Sequence, residues 1–115
     1  RRLSDTPAII IGDFNTMGRA EGREVSAAQE IRLFEKELEP GYRRLPSVPG
    51  CSEYYQNNPG TLDHVVVSKQ MRGVSATARV SGFCAAESCQ PVKGNPPAAY
   101  FRLSDHCPLL VEVTH

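Results

Sequence analysis

"IIIGDFNT", residues 9–16, runs three isoleucines straight into Gly12 and then sets Asp13 and Asn15 around a single phenylalanine. With Pro7 and Ala8 ahead of it, the stretch 7–11 reads as a short buried strand. Its apolar run is continuous rather than alternating, so both faces are expected to be covered. A strand ending on Asp13-Phe14-Asn15 can simply be turning. It can also be a platform that holds an acid and an amide at a fixed place.

Beyond this strand comes a polar, glycine-bearing loop, "TMGRAEGRE". Ser26 then opens "SAAQEIRLFEKELEPG", with capping-box spacing to Gln29. Ala27, Ile31, Phe34 and Leu38 share one helical face, and Pro40-Gly41 ends the helix. Residues 42–60, with Pro46, Pro49, Gly50 and "QNNPG", read as a long irregular loop of the kind that is usually functional or mobile. "TLDHVVVS" (61–68) is the second strand signal. "VSATARVSGF" (74–83) alternates like a strand with one exposed face. A second loop follows, and "CPLLVEV" (107–113) is a closing strand, with Pro108 where a missing N–H is tolerated. About four strands and one or two helices make an α/β set.

The totals narrow the function classes. A chain of 115 residues suits one domain. Thirteen basic and 13 acidic residues give zero net charge, so no bulk field draws it to nucleic acid or an anionic membrane, and any phosphate site has to be local. No apolar run reaches the roughly 18 residues of a membrane span, so no transmembrane segment is expected. Arg1–Asp5 is polar and reads like the middle of a domain, so the missing signal peptide says nothing about export. The four cysteines form no C-x-x-C pair and no zinc spacing. Cys84 and Cys89, five apart, suit a local disulfide, leaving Cys51 and Cys107 as free, small apolar residues.

Polar clusters recur at strand ends, where scaffolds present chemistry. They are Asp13 and Asn15 after the first strand, Asp63 and His64 at the start of the second, and Ser104-Asp105-His106 before the last. Singly, each has a structural reading as a turn, a buried acid tied to backbone N–H groups, or a cap. Together they supply what phosphodiester hydrolysis needs. A hard divalent ion takes carboxylates plus phosphate oxygens and water. A water has to be oriented or deprotonated. The charge of the transition state has to be met, and a His held by an Asp serves these last two tasks.

"GDFN" (12–15), "LDH" (62–64) and "SDH" (104–106), in that order and each beside an apolar run, resemble three motifs of the endonuclease/exonuclease/phosphatase (deoxyribonuclease I-like) family. The tail "SDHCPLLVEV" resembles its closing strand. The likeness runs from about residue 7 to 113, and the loops 42–60 and 84–100 match in position only. It implies an α+β sandwich and a metal-dependent phosphodiesterase, most simply a nuclease using Mg2+ or Mn2+ on nucleic acid or another phosphodiester. It implies that Asp13 orients or deprotonates the attacking water. Asn15 contacts the phosphate and helps order the metal, Asp105 is a metal ligand, and Asp63 hydrogen-bonds His106, which contacts the phosphate. Asp63 and His106 are therefore expected to touch, each at the end of a neighbouring strand on one rim of a sheet. Phe14 packs, and His64 is structural or substrate-facing.

The departure from the family concerns what precedes "GDFN". Residues 1–115 resemble a single partial domain, one half of a four-layer α-β-β-α sandwich. The other half, with an Asn and the main metal-binding Glu, has no counterpart here. The expected partners are that missing N-terminal half, or a homodimer or swapped copy covering the exposed sheet. "NNPGTLDHVVVS" and the cysteines lean toward a secreted or periplasmic nuclease-like branch. Lipid or inositol phosphate phosphodiesterases of the same family, and a non-catalytic binding or assembly module, are the alternatives. Arg43-Arg44 and Tyr54-Tyr55 read as ordinary loop surface or as contacts to phosphate and base.

Overall fold

The computed structural model describes residues 6–20, 22–71, 75–94 and 103–114. The polar opening Arg1–Asp5, the first residue of the third expected strand (Val74) and most of the later proline-rich loop (95–102) lie outside them. In chain order the strands are β1 (Ile9–Asp13), β2 (Arg19–Ala20), β3 (Arg23–Glu24), β4 (Tyr42–Leu45), β5 (Ser47–Val48), β6 (Glu53–Tyr55), β7 (Asn58–Gly60), β8 (Asp63–Ser68), β9 (Ser75–Val80) and β10 (Leu109–Thr114). The helices are α1 (Ala27–Leu38) and the single turn α2 (Phe83–Ala86). The chain is thus a mixed α/β fold, mostly strand.

Two ladders, β1–β8–β4 and β10–β9–β5, carry the fold. Pro46 alone separates β4 from β5. Lacking an N–H, it cannot continue the antiparallel ladder with β8. The chain beyond it pairs parallel to β9 instead, Ser47 opposite Ala78 and Val48 opposite Arg79. The expected loop 42–60 is therefore largely strand. Its short elements carry little periodic signal between the prolines and glycines, and pairing with distant strands overrides the local turn chemistry.

Cross-strand partners share a face of a sheet. Ile9 opposite Val67, Ile11 opposite Val65 and Leu45 opposite Val65 define one face of the first ladder. Val65, Val67, Leu45 and Ala78 form a core cluster there, with Leu109 and Val111 packed against it. The opposite face, carrying His64 and Val66, lies toward α1, whose Phe34 ring sits 5.0 Å from the His64 ring. Ser26 caps α1 as its spacing predicts, accepting from the Gln29 N–H at 3.1 Å. Ile31, Phe34 and Leu38 are half-buried as expected, whereas Ala27 is exposed.

The coverage expected on both faces of β1 is not met by the described residues. Ile11 is 51% exposed, and Ile9 and Val113 on the apolar face are also open to solvent. A second correction concerns the cysteines. The disulfides are Cys51–Cys89 and Cys84–Cys107, not Cys84–Cys89. Positions five apart on a helix lie about 140° apart around it. Ser88 and Cys89 then take left-handed conformations (φ 52° and 56°) that turn the chain away. Cys84 is left against Cys107, and Cys89 against Cys51. Together with Tyr54, Val80 and Phe83 these bridges form a second core cluster.

Candidate active site

Asp13 ends β1 and Asp63 begins β8, and the register sets them directly opposite one another. Like charges in that position repel. The arrangement is relieved because one imidazole serves both. His106 Nδ1 lies 2.7 Å from Asp63 Oδ2, and His106 Nε2 lies 3.9 Å from Asp13 Oδ2. The ring therefore donates its Nδ1–H to Asp63 and turns Nε2 toward Asp13. Ligand atoms of these three side chains all lie within 4.8 Å of one another, and among the described residues they are the group of His, Cys, Asp or Glu that does so.

Local chemistry fixes each group. Asp13 Oδ1 accepts the Asn15 N–H at 2.8 Å, an Asx turn that holds Asn15 at φ 53°. Phe14 N–H donates to the Leu62 carbonyl at 2.8 Å and ties the end of β1 to the start of β8. Ser104 Oγ accepts the His106 N–H at 2.9 Å, which closes the turn carrying the imidazole. Asp63 begins β8 and His106 precedes β10, and these two strands are not neighbours, contrary to expectation, since they stand in separate ladders. What joins them is β6 and the residue before it. Ser52 Oγ accepts the N–H groups of Leu62 and Asp63, both at 3.0 Å. The Ser52 carbonyl accepts from Cys107 N–H, and Tyr54 N–H donates to the Asp105 carbonyl, both at 2.8 Å. Glu53 bridges His106 across this ladder.

Asp13, Asn15, Asp105 and His106 line one open pocket of about 510 Å3, with the β6–β7 hairpin as a wall. Asp63 stands behind His106, half-buried. A larger groove, about 670 Å3, runs along α1 and β3 and shares only Thr16 with it. Arg44 does not reach the pocket; it turns to Glu35 at 4.0 Å on the helix side.

Burial of His106 disfavours its charged form, yet the bond to Asp63 and the charges of Asp63, Asp105 and Asp13 outweigh this and raise its pKa. His64 behaves oppositely. Thr16 Oγ1 gives its single proton to the Thr61 carbonyl, so it accepts from His64 Nε2–H at 2.7 Å. His64 Nδ1 is then a buried lone pair without a partner among the described residues. Burial, and next the nearby Arg44 charge, push the His64 pKa down to about 4. His64 is thus a neutral packing residue between Phe14 and Phe34.

No protein-family model, curated protein or solved structure matches this chain.

Two residues at the site escaped the reading of the sequence. Ser52 is fully buried, and nothing in its neighbours signals a hub. Glu53 is 4% exposed, and burial raises its carboxyl pKa despite the nearby His106. The carboxyl rests against Gly60, where a Cβ would collide with Oε1. "SEYY" does not alternate polar with apolar residues, so nothing in the sequence marked Glu53 as buried.

Proposed function

We propose that this chain carries the acid–base and phosphate-contacting part of a divalent-metal-dependent phosphodiester hydrolase, most simply a nuclease. The observation that carries the reading is the line Asp63–His106–Asp13, with Asn15 and Asp105 at the same pocket. Asp63 fixes the His106 tautomer and favours its protonated form, so Nε2–H is aimed at the pocket as a donor to a phosphate oxygen. Asp13, its Oδ1 held by the Asn15 N–H, keeps Oδ2 toward the pocket to orient a water and take its proton. The Asn15 amide supplies a further phosphate contact.

Asp13, Asn15 and Asp105 offer oxygen donors only, which fits Mg2+ or Mn2+ and not zinc. Asp63 and His106 are committed to one another and are poor candidates to hold the ion. When bound, the ion would neutralise phosphate charge. The three-motif likeness supports the finer expectation of a deoxyribonuclease I-like half-sandwich. The open face at Ile9, Ile11 and Val113 supports a second layer, from the complementary half or another copy. The two disulfides support a secreted or periplasmic setting.

The experiment offers plasmid DNA, RNA, inositol phosphates and phospholipid to the protein as its gene encodes it, with Mg2+, Mn2+ or chelator. Metal-dependent cleavage of a phosphodiester is expected. Asp63→Asn, nearly isosteric, should lower it roughly a hundredfold to ten-thousandfold. His106→Ala should cost at least as much, and the double variant little more than the worse single. Full additivity, or undiminished cleavage in chelator, would refute the assignment.

A further inference from the structure

The two adjacent tyrosines of β6 have opposite fates. Tyr54 is 1% exposed, and its hydroxyl donates to the Gln90 carbonyl at 2.7 Å. Tyr55 is 60% exposed and stands at the pocket that holds Asp13, Asn15 and His106. Strand alternation explains the split: one ring anchors the hairpin and the other is presented.

The presented ring is held on a stiff mount. The hairpin turn uses left-handed Gln56 and Asn57 (φ 53° and 65°). The Asn57 carbonyl accepts from Val92 N–H at 2.9 Å, and its amide donates to the Gly94 carbonyl at 3.3 Å. Cys51–Cys89 ties the same backing segment to the residues just before β6. Met17, 63% exposed, lines the same pocket and offers a soft apolar surface.

The charge of the pocket limits what it can take. Among its described lining residues there is no Lys or Arg, while Asp13, Glu53 and Asp105 are acidic. A headgroup or ring bearing several phosphates would set its further charges against these acids with no described Lys or Arg to pair them, beyond the single phosphate that His106 and a bound ion would serve. A nucleic acid strand presents one phosphate to the reacting groups and a flat, uncharged base beside it. We propose that Tyr55 is a specificity-determining residue that stacks on an unpaired nucleobase next to the phosphate held by His106 and Asn15. The role of that phosphate rests on the phosphodiesterase reading; the stacking does not require turnover.

The test measures binding of two fluorescent oligomers by anisotropy in chelator: oligo-dT, and an abasic strand of equal length with the same phosphates. The parent protein is expected to prefer oligo-dT by about 5- to 150-fold, the range of one stacked base. Tyr55→Ala should erase that preference and leave abasic binding unchanged; Tyr55→Phe, which keeps the ring, should retain it. Equal affinity of the parent for both strands would overturn the inference, as would an equal loss on both in Tyr55→Ala. Binding to phosphatidylinositol vesicles that depends on Tyr55, with no base preference, would overturn it in favour of a membrane. Base preference in a protein that cleaves no phosphodiester would uphold Tyr55 and sink the hydrolase reading; cleavage without base preference would do the reverse.

Discussion

Acid should destabilise this protein through His64 before its exposed carboxylates matter. The ring is 2% exposed between Phe14 and Phe34, gives Nε2–H to Thr16, and has no hydrogen-bond partner at Nδ1 among the described residues. Protonating it would place an unpartnered N–H and a positive charge close to Arg44, with Asp63, Asp13 and Glu30 only partly offsetting this. In the unfolded chain His64 takes up its proton near pH 6.5, and in the fold only near pH 4. Its folded pKa is depressed, so as pH falls from about 6.5 to about 4 the unfolded state gains a proton that the folded state refuses. A shift from 6.5 to about 4 corresponds to roughly 3 kcal/mol of lost stability below the lower value. That is a large part of the roughly 5–15 kcal/mol typical of a domain. The assay is urea unfolding of the parent and of His64→Gln, which keeps a donor toward Thr16 but does not titrate, at several pH values from 7 to 4. Carboxylates titrate alike in both, so the difference in slope isolates His64. Parallel stability curves, or an NMR titration of His64 near its ordinary value, would refute the account.

Other outcomes follow from the same structure. His106 should titrate above its ordinary value by NMR, and Asp63→Asn should bring it down; because the folded pKa is raised, the stability from this pair is full below about pH 6.5 and fades as pH climbs through the raised value. Reducing the disulfides, which span 38 and 23 residues, should cost roughly 3 to 4 kcal/mol each by the loop-entropy relation, read as a lower denaturant midpoint; an unchanged midpoint would show that the pairing is wrong. The open apolar face should drive self-association visible by light scattering at high concentration. Ile11→Lys should disperse it, and a compact monomer of the parent would count against a covered face.

Much of the site was legible because its chemistry sits at strand ends. "GDFN" and "LDH" abut apolar runs, and their register brings Asp13 opposite Asp63. The contact between Asp63 and His106, 43 positions apart, was expected and is made at 2.7 Å. Its route was not, since it passes through Ser52 and Glu53 in a region where proline and glycine hide three-residue strands. The cysteine pairing was illegible for a related reason. Spacing along the chain favours the local pair, but the helical turn at Phe83–Ala86 and two left-handed residues decide which way each sulfur faces. The burial of β1 was half legible: its apolar content was plain, but a sequence does not say which layer covers it.

The two disulfides interleave: Cys84 lies inside the loop closed by Cys51 and Cys89, and Cys89 inside that closed by Cys84 and Cys107. A protease cutting once anywhere between residues 51 and 107 therefore severs the backbone without separating the pieces. A nick on the amino side of Cys84 is spanned by the first bridge, one beyond Cys89 by the second, and one between them by both. Nicked protein should run as one band on a non-reducing gel and as two after reduction. His106 and Asp63 would remain part of one covalent molecule after such a cut.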